Sequence, residues 1–371
     1  MDNKHIRWLY GQLPDLITKG VLDAATADKM RSHYGPVQAP NSRRWLILAF
    51  SIIGALLIGG GVILIIGHNW DELSRPLRAG ISLALLLTAQ ALCWWVLYTG
   101  RDGAAWREGA GTFAVLAVGG CFAMIAQTYH LSDDFGGFML TWMLMSLPLV
   151  YLLNAVVPAI IYLAGITGWA AHMQGWEGMG QAVGFWPLLA LVLPYIYRQV
   201  RPDPYHPRAV WSLWALGVCL CVAMSICLEK TIPGMWLIVY TGFLASFYLA
   251  GAFRQDSSKS VWRRPMLFIG GAGLLIIAFI QTFKDTWERI GWHHYSERLH
   301  PWAAAQDYCL AAGLTVLAIV MFMKSFRAGR PFQVVLGLQP ILTFIIFGAA
   351  GFFDNDAVQA LAMLVFNGYL L

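Results

Sequence analysis

The sequence predicts an all-α polytopic membrane protein, with about twelve transmembrane helices behind a small N-terminal cytoplasmic helical unit. Three observations predict it. Only 12% of the 371 residues are charged and 58% are hydrophobic, against roughly 25% charged in soluble domains. The mean hydropathy is +0.59, which is more apolar surface than a soluble core buries. Apolar runs recur along the chain at about the 20 residues a helix needs to cross a bilayer, and short polar turns separate them.

Residues 1–44 form the polar unit. Ile6, Leu9, Leu13, Leu16 and Ile17 recur at helical spacing, so a first amphipathic helix is expected. Asp23 is placed to N-cap a second one, from Ala24 to about Tyr34, where Gly35-Pro36 stops it. Residues 36–41 read as a linker. Two short helices bury little alone. They are expected to dock on the membrane domain, on each other in a homo-oligomer, or on a cytoplasmic protein partner through residues 1–35. The unit lacks a short apolar stretch behind a basic start, so no signal peptide is expected.

The membrane domain, 45–371, opens with a hairpin. An apolar run at 45–67 is followed by a turn beginning His68-Asn69-Trp70-Asp71-Glu72, then by a second run at 77–99. Further spans are expected at 108–129, 137–153, 155–172, 183–198, 208–227, 232–252, 263–283, 303–324, 333–351 and 356–371. The 36 residues of 137–172 are too long for one helix and short for two; Asn154 and Pro158 mark a tight turn between two short ones. The last run is still apolar at Leu371, which leaves a continuation open.

Charge sets the parity. With twelve spans, 19 of the 25 Lys and Arg fall on the N-terminal side and six on the other. An excess of Lys and Arg in short loops marks the cytoplasmic face, so the N-terminus is expected inside. Merging 137–172 into one span would move three basic loops across and erase the bias. The net charge of +5 therefore sets topology and does not build a nucleic-acid surface. Many of the 17 Trp sit near the ends of apolar runs, as in an interfacial belt. The six Cys lie in or beside apolar runs with no CxxC pair and read as packing residues.

Two stretches carry a family resemblance. Gly67-His68-Asn69-Trp70-Asp71-Glu72-Leu73 follows the first span, and Ala126-Gln127-Thr128-Tyr129-His130-Leu131 ends the third. Together with Gly20-Val21-Leu22-Asp23 and the helix ending in Tyr34, they resemble the bacterial predicted-membrane-protein family called domain of unknown function 2157. The resemblance covers roughly the first 40% of the chain and implies a bacterial inner-membrane protein, with no known activity.

Two sets of residues carry the candidate chemistry. On the outer side, His68, Asn69, Asp71 and Glu72 share a face with Gln127, Tyr129, His130, Asp133 and Asp134. Converging His and carboxylates suit a polar substrate or proton handling, because His titrates near neutral pH. The competing reading makes them caps and solvated loop residues. No HxxxH or HExxH spacing exists, so no metal is expected. The second set lies at membrane depth: Gln90, Gln127, Asn154, Gln281, Gln306, Asp307, Gln339, Gln359 and Asn367. Such groups face a bundle interior, as interhelical hydrogen bonds or as a site. Asp307 stands out because a carboxylate there needs a partner or water. Glycines at 59–61, 119–120 and at 270, 271 and 273 suit close helix packing, or an unwound binding helix.

No nucleophile motif and no cofactor motif appears; Gly59-Gly60-Gly61 lacks the GK[ST] of a phosphate loop. Three functions compete. A transporter or permease for a small solute or lipid ranks first, on span number and intramembrane polar residues. The others are a membrane enzyme acting on a lipid or envelope precursor at the periplasmic face, and a non-catalytic scaffold or sensor.

Overall fold

The computed structural model describes residues 3–34, 72–101, 103–130, 134–176, 181–228, 231–253, 260–287, 301–329, 331–349 and 355–371. Among them the regular structure is helical throughout, thirteen α-helices with short 3₁₀ turns. The chain divides into two compact units, Met1–Ser74 and Arg75–Leu371.

In the first unit, α1 (Asn3–Thr18) and α2 (Ala24–Tyr34) form a helical hairpin. Gly20 ends α1 in a left-handed conformation at φ 68°. That turn lets Val21 N–H reach Leu16 O and Gly20 N–H reach Ile17 O, both at 3.0 Å, so orphan carbonyls of the last turn are satisfied. Asp23 then caps α2, accepting from Thr26 N–H at 3.2 Å. Hydrogen bonds from Thr26 favour the ionised carboxylate and hold Asp23 below its ordinary value of 3.8. Leu13 and Ala27 are fully buried, and Tyr10 Oη donates to Arg31 O at 3.2 Å.

The second unit holds α3 (Arg75–Tyr98), α4 (Ala104–Tyr129), α5 (Phe135–Leu153), α6 (Val156–Trp176), α7 (Phe185–Val200), α8 (Pro207–Cys227), α9 (Met235–Phe253), α10 (Pro265–Gln281), α11 (Pro301–Arg327), α12 (Pro331–Ala349) and α13 (Asn355–Leu370). Eight of them, α3 to α9 and α11, are long and apolar enough to cross a membrane, α7 together with the turn before it. Residues 265–281 and 335–349 are apolar and shorter. The first expected span, with Gly59-Gly60-Gly61, lies outside the described residues.

Local chemistry explains the ends. Gly100, at φ 60°, closes α3 as Gly20 closes α1. Pro207 and Pro265 open α8 and α10, where their fixed φ and missing N–H suit the first turn. The stretch 137–172 divides at Asn154, whose left-handed backbone (φ 50°, ψ 47°) suits an asparagine. The two helices it joins are full length, at 19 and 21 residues, and not the short pair expected. The first begins two residues earlier than hydropathy alone suggests, and the second ends four residues later.

Three apolar clusters fill the interior. One joins α3 and α4, one joins α5 to α8, and the largest surrounds α9 with α10 to α13. Helix α9 is the most enclosed, with fourteen of its nineteen residues buried. Glycine sets how closely its neighbours approach. A Cβ on Gly270 of α10 would lie 2.5 Å from Tyr248 N and 2.7 Å from Leu244 O on α9. Here two helix backbones touch, so these glycines serve packing. Gly119 likewise makes room for the Trp142 indole, whose N–H donates to Val115 O at 2.7 Å.

Candidate functional site

Interhelical polar contacts gather at two ends of the second unit, between buried side chains at one end and half-buried or exposed ones at the other. At one end the start of α11 meets the end of α8 and the start of α7. Gln306 sits between them: its Nε2 donates to Cys227 O at 2.5 Å, and its Oε1 accepts from Trp186 Nε1 at 3.0 Å. The next residue, Asp307, is 1% exposed. Its Oδ2 accepts from Thr231 Oγ1 at 2.5 Å and from Thr231 N–H at 3.3 Å. A carboxylate this deeply placed needs such donors, because apolar surroundings penalise its charge. Thr231 can supply both because the chain turns sharply there, through Pro233 and Gly234 (φ 86°), before α9 begins.

Asp307 also lines a pocket of about 280 Å³, with Leu228, Ile232, Pro233, Gly234, Met235 and Trp236. A second pocket of about 350 Å³ shares Leu228 and Trp236 and continues past Ser225, Tyr240 and Ile277. The arrangement is one carboxylate at the head of an apolar groove. It suits a ligand with a polar donor at one end and an apolar body.

The remaining predicted residues are placed differently. His68, Asn69, Asp71 and Asp133 lie outside the described residues. Glu72 belongs to the first unit and is exposed. Gln127, Tyr129 and His130 are exposed at the end of α4. His130 adopts a left-handed conformation (φ 50°) as the C-cap, its N–H donating to Ala126 O. Asp134 caps α5, accepting from Gly137 N–H at 2.7 Å. Both therefore do helix-terminal work. Asp134 has a neighbour the candidate set omitted: a Cβ on Gly136 would lie 3.5 Å from Asp134 Oδ1 and 3.6 Å from His172 Cδ2. Among the described residues, no group of three His, Cys, Asp or Glu is placed to hold a metal.

The polar residues at membrane depth separate into buried and exposed. Gln90, Gln127 and Asn367 are exposed. Gln281, Gln339 and Thr343 form an interhelical set: Gln281 Nε2 donates to Thr343 Oγ1 at 2.9 Å, and Gln339 Nε2 to Gln281 Oε1 at 3.2 Å. Trp287 Nε1 donates to Gln281 O at 2.9 Å, and its ring stacks on Phe366 at 5.9 Å. These bonds join α10, α12 and α13 as structural glue.

At the opposite end, Glu108 of α4 reaches the start of α6. Its two carboxylate oxygens accept from Val156 N–H at 2.9 Å and Val157 N–H at 2.8 Å. These are unpaired donors of a first helical turn, where the helix dipole also favours negative charge. Arg208 Nε lies 3.9 Å from Glu108 Oε1, and Gln199 Nε2 donates to Asn154 Oδ1 beside them. Sequence reasoning missed Glu108. Its signal was weak: one of two acids, with Asp102, interspersed with Arg101 and Arg107 before an apolar run.

A predicted-membrane-protein family, DUF2157, matches residues 14–159. That stretch runs from α1 to the first turn of α6 and includes both partners of the Glu108 cap. Comparison with curated proteins and with solved structures returned no match.

Proposed function

We propose that this protein is a transporter or permease of the bacterial inner membrane, and that it takes a small solute or lipid through the Asp307 pocket. The observation that carries the proposal is the buried carboxylate at the head of a two-part apolar groove. Intramembrane carboxylates are costly and mark functional positions by default. This one lies near the start of a candidate span, where cargo leaving water would meet it first. A cargo group that donates a hydrogen bond would bind Asp307 while its apolar part lies along Trp236 and Ile277. The excess of Lys and Arg on the N-terminal side supports a cytoplasmic N-terminus, an orientation in which, with twelve spans, the Asp307 pocket would face the periplasm.

The test is a thermal-shift screen of the detergent-purified protein against small cationic and hydroxylated solutes and short-chain lipids. Counterflow of any hit in proteoliposomes follows. A ligand that binds only the folded state raises Tm with its occupancy. The proposal requires a hit whose shift and transport are both lost in Asp307→Asn. A hit shifted equally in that variant, or one that binds without being transported, counts against it.

A further inference from the structure

We infer that the cleft between the starts of α8 and α10 is a binding site for an anionic phospholipid. The site is independent of the Asp307 pocket and lies at the other end of the bundle.

The cleft measures about 530 Å³ and is walled by Tyr205, Trp211, Trp214 and Trp262, with Arg263 among its lining residues. Its aromatic wall is fixed internally. Trp214 Nε1 donates to Trp262 O at 3.0 Å. The Trp214 ring lies 5.8 Å from Trp262 and 5.5 Å from Phe268, and Trp262 stacks on Phe268 at 6.1 Å. Yet Trp211 and Trp262 remain 63% and 71% exposed. Large indoles left open at the ends of apolar helices belong at the headgroup level of a bilayer, where one side of the ring is apolar and the other wet.

Charge selects the headgroup. Arg264 follows Arg263 and lines the adjoining crevice with it. Among the described residues, neither arginine is paired with a carboxylate. Among the described residues, the acids at this end are already engaged: Asp203 Oδ1 accepts from Tyr205 N–H at 2.8 Å, and Glu108 caps α6. Arg198 and Arg201 add further positive charge at the end of α7, whereas Arg208 faces Glu108 at 3.9 Å. A guanidinium matches a phosphodiester with two parallel hydrogen bonds. An indole wall against an apolar helix flank suits the first carbons of an acyl chain. A zwitterionic choline lipid would leave the excess positive charge uncompensated, so the cleft commits to an anionic one.

Native mass spectrometry of the full-length protein, delipidated in detergent and titrated with phosphatidylglycerol or phosphatidylcholine, tests this. The wild type is expected to retain phosphatidylglycerol preferentially. Each arginine near an anionic headgroup contributes roughly a five-fold effect, so Arg263→Gln with Arg264→Gln should weaken retention by about 25-fold and remove the preference. Arg263 is exposed and Arg264 half-buried, so an unchanged Tm is the control that the double variant keeps its fold. Trp262→Ala should weaken both lipids alike, and Asp307→Asn should change neither. Equal retention of the two lipids by the wild type would overturn the inference. So would undiminished phosphatidylglycerol binding by the double variant, or displacement of the lipid by glycerol 3-phosphate at equal concentration, which would mark a soluble-phosphate site.

Discussion

The Glu108 carboxylate caps a helix to which it does not belong, taking the first two free N–H groups of α6 at Val156 and Val157. The contact fixes three helices at once, because Glu108 rides on α4 and the capped turn follows directly from α5. Close packing accompanies it: a Cβ on Gly111, one turn along α4, would lie 2.9 Å from Pro158 Cγ.

Glu108→Ala leaves both donors without a partner, at a cost of about 1–3 kcal/mol. Glu108→Gln retains one good acceptor and is expected to cost less than Ala. Thermal unfolding of the detergent-purified variants, followed by tryptophan fluorescence, checks the order wild type, Gln, Ala. Equal Tm values for all three would remove the cap from the list of stabilising contacts.

Asp307 and Thr231 are expected to be coupled. Removing the hydroxyl in Thr231→Val leaves the buried carboxylate short of a donor, and Asp307→Asn changes what the hydroxyl meets. A double-mutant cycle on Tm should give an interaction of about 0.5–3 kcal/mol. Strict additivity would mean that the two side chains do not depend on each other.

Helix α9 should resist any added atom on its glycine-lined face. Gly270→Ala places a methyl group against the Tyr248 backbone, where neither helix can yield cheaply. Overpacking of this kind costs about 1–3 kcal/mol or more. Gly313→Ala on α11 is the control, since nothing lies within 4 Å of its Cβ position. Its Tm should hold or rise.

Asp23 links the first unit to acid pH. Its carboxyl is held below 3.8, so the charged form is the one the fold favours. The stabilisation is present above the unfolded value and is lost as pH falls through the lowered folded value. An NMR titration should place Asp23 below 3.8, with amide protection at Thr26 fading over the same acid interval. In Asp23→Ala that interval should show no change at Thr26.

Orientation is open to a direct test. With the native cysteines replaced, Asp134→Cys should react with an impermeant maleimide from the periplasmic side of intact cells. Arg263→Cys should react only after the inner membrane is opened. Labelling in the reverse pattern would invert the assignment drawn from the Lys and Arg bias.

What the sequence revealed was mostly local. Asp23 and Asn154 each act through the few residues beside them, so the sequence was enough to place those helix ends. The sequence marks His130 and Asp134 as candidates for substrate or proton handling; the capping they perform is a local contact. Interhelical contacts were harder to read. Glu108 and Val156 are 48 residues apart, Thr231 and Asp307 76. Such pairs depend on how each helix is rotated about its axis. In a lipid-facing bundle apolar residues surround every helix, so periodicity says little about which face turns inward. For the same reason Gln281 and Gln90 looked alike in sequence, although one is buried and bonded and the other exposed.

The connection between α5 and α6 has a consequence for biogenesis. Only Asn154 and Ala155 separate the two helices, so their facing ends stay together from the moment both are made, which suits entry into the bilayer as one helical hairpin. Synthesis runs from the N-terminus, so Glu108 has already left the ribosome when Val156 and Val157 arrive. The acid that shields this helix start from hydrocarbon is in place before the N–H groups need it.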